Sequence, residues 1–174
     1  SGLVSFSWTA TSLVAWAPAL LVCAGVAVSE ELMFRGFAFQ RLIDGLGVRP
    51  AQLLIGAYFV LTHSGTPGTA GAIGYLAAVN IFVASIAFGA AYLRTRSLAM
   101  PIGIHFAANL VQGSVLGFGV SGSSQPTVLM PALAPGFEWF TGGAFGLEAS
   151  VPGLVCIVLL AALLVLRKPA VMTP

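Results

Sequence analysis

Ala27-Val28-Ser29-Glu30-Glu31-Leu32-Met33-Phe34-Arg35-Gly36-Phe37-Ala38-Phe39 sets three charges inside an otherwise apolar helical run. A charge at mid-bilayer costs roughly 2.5–3.5 kcal/mol, so buried charges of this kind need a reason. Glu31 and Arg35 stand four apart with the acid first, the order that favours a helical ion pair. Arg35 offsets one carboxylate and leaves Glu30 uncompensated. A desolvated carboxylate beside a second one suits general acid–base work near neutral pH. The plain alternative is an acidic pair at the membrane surface, reached by water.

The rest of the chain supports the lipid setting. Of 174 residues, 58% are hydrophobic and 7% charged, and the mean hydropathy is +1.00. An average globular chain is about 25% charged, so these numbers exclude a water-facing surface all round. Twelve Phe and the high hydropathy exclude disorder. Seven basic residues on a net charge of +2 make no nucleic-acid patch. The opening run lacks the basic start of a signal peptide. The chain opens on Ser1-Gly2, and a trimmed start with helices upstream is expected. Cys23 and Cys156 both sit in apolar runs, where buried thiols packing as small hydrophobes are expected.

Charge-free stretches divide the chain into five apolar helical segments, an all-α polytopic bundle in a single transmembrane domain over 1–174. The segments run at about Leu13–Leu42, Ala51–His63, Tyr75–Leu93, Leu98–Phe118 and Val151–Leu166, the last helix reaching to 168. The motif-bearing core covers about 13–118. Ser64–Gly74 reads as a turn, and Gly119–Ser150, rich in Gly, Ser and Pro, as a long loop with an interfacial turn near Phe137, Trp139 and Phe140. Arg41, Arg49, Arg94, Arg96, Arg167 and Lys168 then all fall on one side. The positive-inside rule makes that side cytoplasmic. Five crossings with the N-terminus outside, the C-terminus in the cytoplasm and 119–150 as an outer loop satisfy every segment. Glu138 and Glu148 belong to that outer loop. Gly113 and Gly117 form a G-x-x-x-G pair that allows a helix contact, between subunits of a homo-oligomer included, and Gly89, Ala90 and Ala91 allow another close approach.

Counting inward from the basic residues at 1.5 Å per residue compares depths. Glu30 lies about 16 Å from Arg41, His63 about 20 Å from Pro50 and His105 about 14 Å from Arg96. The two histidines of the chain and its uncompensated acid thus converge from three helices. Asn109 follows His105 by one turn on the same face, and Phe59 precedes His63 by one turn. Two chemistries fit. Glu30 with His63 draws a proton from water that attacks an amide carbonyl, while His105 and Asn109 donate to the oxyanion. Alternatively His63, His105 and Glu30 ligate zinc with a fourth position for water, and no cofactor is required on the first reading. Ser29, Ser64 and Ser114 lack the surroundings of a nucleophile.

Glu30-Glu31-x-x-x-Arg35, Phe59-x-x-x-His63 and His105-x-x-x-Asn109 together resemble the three-motif signature of the CAAX protease and bacteriocin-processing family. These are the abortive-infection-type intramembrane proteases, distantly similar to the CAAX prenyl endopeptidase. The resemblance covers about Ser29–Gly113. It implies a multi-helix membrane fold with a conical cavity open to the cytoplasm. It also implies Glu30 as the water-activating acid, His63 as its partner, Glu31 and Arg35 in support, and His105 and Asn109 at the oxyanion. The expected protein is an intramembrane endopeptidase of a bacterial plasma membrane, in contact with lipid and acting on a peptide or membrane-protein substrate. A non-catalytic immunity or scaffold protein is the alternative. A transporter or proton relay through Glu30, His63 and His105 is the third, with Thr62, Ser64, Asn80 and Ser85 as candidates for its path.

Overall fold

A computed structural model describes residues 2–10, 13–65 and 71–166. In chain order these form β1 (Val4–Trp8), α1 (Leu13–Arg35), α2 (Phe37–Leu46), α3 (Val48–Thr62), α4 (Gly71–Thr95) and α5 (Ala99–Asn109). A π-helical segment (Leu110–Val115), β2 (Leu129–Leu133), α6 (Glu138–Thr141), a 3₁₀ turn (Leu147–Ala149) and α7 (Val151–Leu166) follow. Arg167 and Lys168, two of the six residues used for orientation, lie outside the described residues, as does part of the Ser64–Gly74 turn. The described end of that turn, Gly71–Gly74, is already helical.

The chain is mostly helical. Val14–Leu46, taken across a bend, and Gly71–Thr95 are long and apolar enough to cross a membrane by length and composition. Val48–Thr62 and Val151–Leu166 are shorter apolar helices. The centre is α4. Its small face, Ala87, Ala90 and Ala91, meets Ala161 and Leu164 of α7, and small residues let two backbones approach closely. On the other side Gln52 of α3 lies against Gly89 and donates to the Ile86 carbonyl at 3.3 Å. A second cluster, with Phe34, Phe39, Ile55, Phe59 and Tyr92 in it, joins α1–α4.

Three departures from the sequence reading have physical causes. The first apolar segment is two helices, because the helix is interrupted at Gly36. A Cβ there would overlap the Leu32 carbonyl, so only glycine permits the bend directly after Arg35. A straight count from Arg41 therefore does not measure the depth of Glu30. The fourth segment is α-helical only to Asn109 and then widens to π, a geometry frequent at functional sites. The widened turn sends Gln112 to the Gly119 carbonyl at 2.5 Å and Ser114 to Gln125 at 3.0 Å. Finally, the chain is not wholly α: β1 and β2 pair antiparallel from Val4↔Leu133 to Trp8↔Leu129. Residues so distant in sequence meet because loop 119–150 folds back over the bundle. This loop also covers the G-x-x-x-G pair, Gly113 against Val120 and Gln125, Gly117 against Leu129 and Pro131. Those glycines serve the chain's own packing.

Candidate active site

Arg35 is fully buried and fixes the site. Its Nη1 donates to Glu31 Oε1 at 3.3 Å, and its Nη2 donates to the Ser85 carbonyl at 3.0 Å and hydroxyl at 2.6 Å. The rings of Phe59, Phe88 and Phe34 surround its guanidinium at 4.9, 5.3 and 5.7 Å. Each such contact returns about 0.5–2 kcal/mol of the lost hydration. Arg35 therefore neutralises Glu31 and ties α1 to Ser85 of α4.

Glu31 Oε1 also accepts from His105 Nδ1 at 3.0 Å. The ring of His105 stacks on Phe88 with centroids 4.9 Å apart. These two contacts set its plane and direct Nε2 to Glu30 Oε2, 3.9 Å away. With Nδ1–H given to Glu31, Nε2 donates only when the ring holds both protons. Glu30 Oε2 is buried and accepts no hydrogen bond among the described residues.

His63 closes the C-terminal end of α3. Its Nδ1 lies 2.8 Å from the Phe59 carbonyl, and its ring packs on Phe59 at 4.6 Å. His105 thus stands 3.9 Å from Glu30, and His63 lines the same cavity from the end of α3. Glu30, His63, His105 and Asn109 all line one cavity of about 760 Å³. Its walls come from α1, α3, α4, α5, α7 and loop 119–150. For the zinc set of His63, His105 and Glu30 the donors do not converge: among the described residues, no three His, Cys, Asp or Glu side chains could hold a metal ion.

Four features were not legible in the sequence. Phe88 packs on Arg35 and His105 from α4, yet in the sequence it is an ordinary residue of an apolar helix, and Ser85, singled out there only for a proton path, instead bonds Arg35. Cys23 and Cys156 both line the cavity, and Cys156 is exposed where a buried thiol was expected, while Cys23 is buried. Glu148, expected among the outer-loop charges, also lines the cavity. Its Oε2 accepts from the Ser121 N–H at 2.9 Å and hydroxyl at 2.7 Å. Burial pushes its carboxyl above the ordinary carboxylate range, against the Ser121 bonds and the nearby His63 and His105, which pull it down.

An apolar helical bundle that sinks a Glu–Arg–His cluster beneath a lined cavity defines a helical membrane-type fold with a desolvated polar site. The chain belongs to the type II CAAX prenyl endopeptidase Rce1-like family, whose sequence profile matches residues 11–111. This is a family of membrane-embedded proteins, and the match contains Glu30, Glu31, Arg35, His63, His105 and Asn109. No curated protein matches the chain, and neither does any solved structure.

Proposed function

We propose that this protein is an intramembrane endopeptidase that hydrolyses peptide bonds at or within the bilayer, as a multi-pass protein of the cell membrane. The observation that carries the reading is the unbonded Glu30 Oε2, buried at the cavity wall 3.9 Å from His105 Nε2. A water about 2.8 Å from both atoms fits that separation and is held facing the cavity.

In this mechanism Glu30 takes one proton from the water as its oxygen attacks the amide carbon. His63 borders the same space and assists in holding the water. Negative charge collects on the carbonyl oxygen, which accepts from the Asn109 amide and from His105 Nε2–H when that ring is doubly protonated. The C–N bond then breaks, and the proton on Glu30 passes to the leaving nitrogen. Water is consumed, and one carboxyl and one amine end result. Glu31 and Arg35 orient His105 and stay out of the bond changes. Metal-dependent hydrolysis draws no support from the donor geometry, so no step is assigned to zinc.

The test is cleavage of a peptide library by the protein in liposomes, wild type against Glu30→Gln, with and without a chelator. Loss of cleavage in a folded Glu30→Gln protein is expected, with no effect of the chelator. Retained cleavage removes Glu30 from its role. Chelator inhibition reversed by zinc would replace this mechanism with the metal one. Activity in the cell that survives Glu30→Gln would support the scaffold reading.

A further inference from the structure

Glu148 is held in place by more than one restraint. Its carboxylate bonds both polar atoms of Ser121, a residue in the left-handed region at φ 46°. Gly146, at φ 100°, brings the 3₁₀ turn against the Gly119 carbonyl, where a Cβ would collide. Asn80 of α4 donates to the Ser150 carbonyl at 3.0 Å and ties the turn to the bundle. A strained, clamped backbone that presents one acid to a cavity is a recurrent mark of a functional position. Among the described residues, Glu148 Oε2 takes the hydrogen bonds and Oε1 accepts none.

The charge balance of the cavity indicates what Glu148 would meet. Two carboxylates, Glu30 and Glu148, line it with His63 and His105, and no Lys or Arg is among the described lining residues. Arg35 is spent on Glu31 and Ser85. The remaining wall is largely apolar, with Val22, Val26, Ile81, Ile104, Leu116 and Ile157 in it. In such a low-dielectric space a cationic group is drawn in and an anionic one repelled. Glu148 also lies beyond the residues matched by the family profile, on the loop that differs most from a simple connection.

We infer that Glu148 is a specificity-determining residue: the cavity takes an apolar peptide segment bearing an ammonium or guanidinium group, which pairs with Glu148 while the scissile carbonyl faces the water held by Glu30 and His105. This deepens the endopeptidase reading and rests on it for the cleavage part. The cation is a lysine or arginine side chain or a free peptide amino terminus. A peptide presented by its C-terminal carboxylate at this end of the cavity is disfavoured.

The experiment uses the full chain in lipid nanodiscs with matched apolar peptides carrying Lys, norleucine or Glu at each position near the scissile bond. Each is made with a free and an acetylated amino terminus. Wild type is expected to cleave the Lys peptide at least about tenfold faster in kcat/KM than norleucine, through KM, with Glu slowest. Glu148→Gln should reduce that preference to about twofold or less. A fall in the wild-type rate of the norleucine peptide on acetylation assigns the cation to the amino terminus, and a Lys preference that persists in the acetylated peptides assigns it to the side chain. Wild-type rates that are equal for Lys and norleucine and also unchanged by acetylation would overturn the inference, even if Glu148→Gln does not fold. A preference unchanged in folded Glu148→Gln would do so too. Binding is read separately by fluorescence anisotropy on Glu30→Gln. Cation-selective binding without any cleavage by wild type would sink the endopeptidase reading and leave Glu148 in its role.

Discussion

At the residue scale the ion pair between Arg35 and Glu31 is the most vulnerable feature, because both side chains are fully buried. Removing one partner of such a pair typically costs about 3–5 kcal/mol, since the other charge is left uncompensated. Arg35→Met should therefore lower the melting temperature in detergent sharply and abolish cleavage together with it. Arg35→Lys should recover little, because a point charge cannot reach Glu31, the Ser85 hydroxyl and the Ser85 carbonyl at once. Glu148 supplies a pH dependence. Its folded value is raised from 4.5 by burial, so the folded state holds the proton more tightly than the unfolded chain. That contribution is complete below about pH 4.5 and is lost as the pH rises through the folded value. Melting curves of wild type and Glu148→Gln, taken from acid towards neutrality, should show the steeper fall in wild type. A parallel pair of curves would contradict the burial of this carboxyl.

At the element scale the interruption at Gly36 positions Arg35 and everything attached to it. Gly36→Ala forces a Cβ onto the Leu32 carbonyl, and a strain of this kind costs about 1–3 kcal/mol. Its expected signature is a lowered melting temperature with a loss of cleavage larger than the destabilisation explains, because Glu30 and Glu31 move with the helix end. An unaffected Gly36→Ala protein would mean that α1 runs straight into α2. The elements also differ in how readable they are. α7 spans Val151–Leu166, the segment expected from an unbroken apolar run. The π segment after Asn109 has no such signal, since it arises where Gln112 and Ser114 bond a loop that follows them.

At the scale of the whole molecule, the placing of the basic residues makes orientation testable. The positive-inside rule, applied to Arg41, Arg49, Arg94 and Arg96, predicts that these residues face the cytoplasm and that loop 119–150 lies outside. With Cys23 and Cys156 replaced by Ala, an impermeant thiol reagent should label Ala144→Cys on intact cells. Asp44→Cys should be labelled only after permeabilisation. The opposite pattern would invert the topology and bring the Glu148 loop to the cytoplasmic side.

The sequence by itself determined the solvent and the polar cluster. Few charges over long apolar runs admit little but lipid, and Glu30, Glu31, Arg35, His63, His105 and Asn109 stand out because each is costly there. Helical spacing relates neighbours within a turn, so Glu31 with Arg35 was readable. Which histidine meets Glu30, how Ser85 and Phe88 fix the cluster, and that β1 pairs with β2 depended on tertiary contacts between distant segments. Glu148 shows the limit most clearly. A carboxylate in a glycine-rich loop has no hydropathy or periodicity to mark it, and only the fold of that loop over the bundle brings it to the cavity.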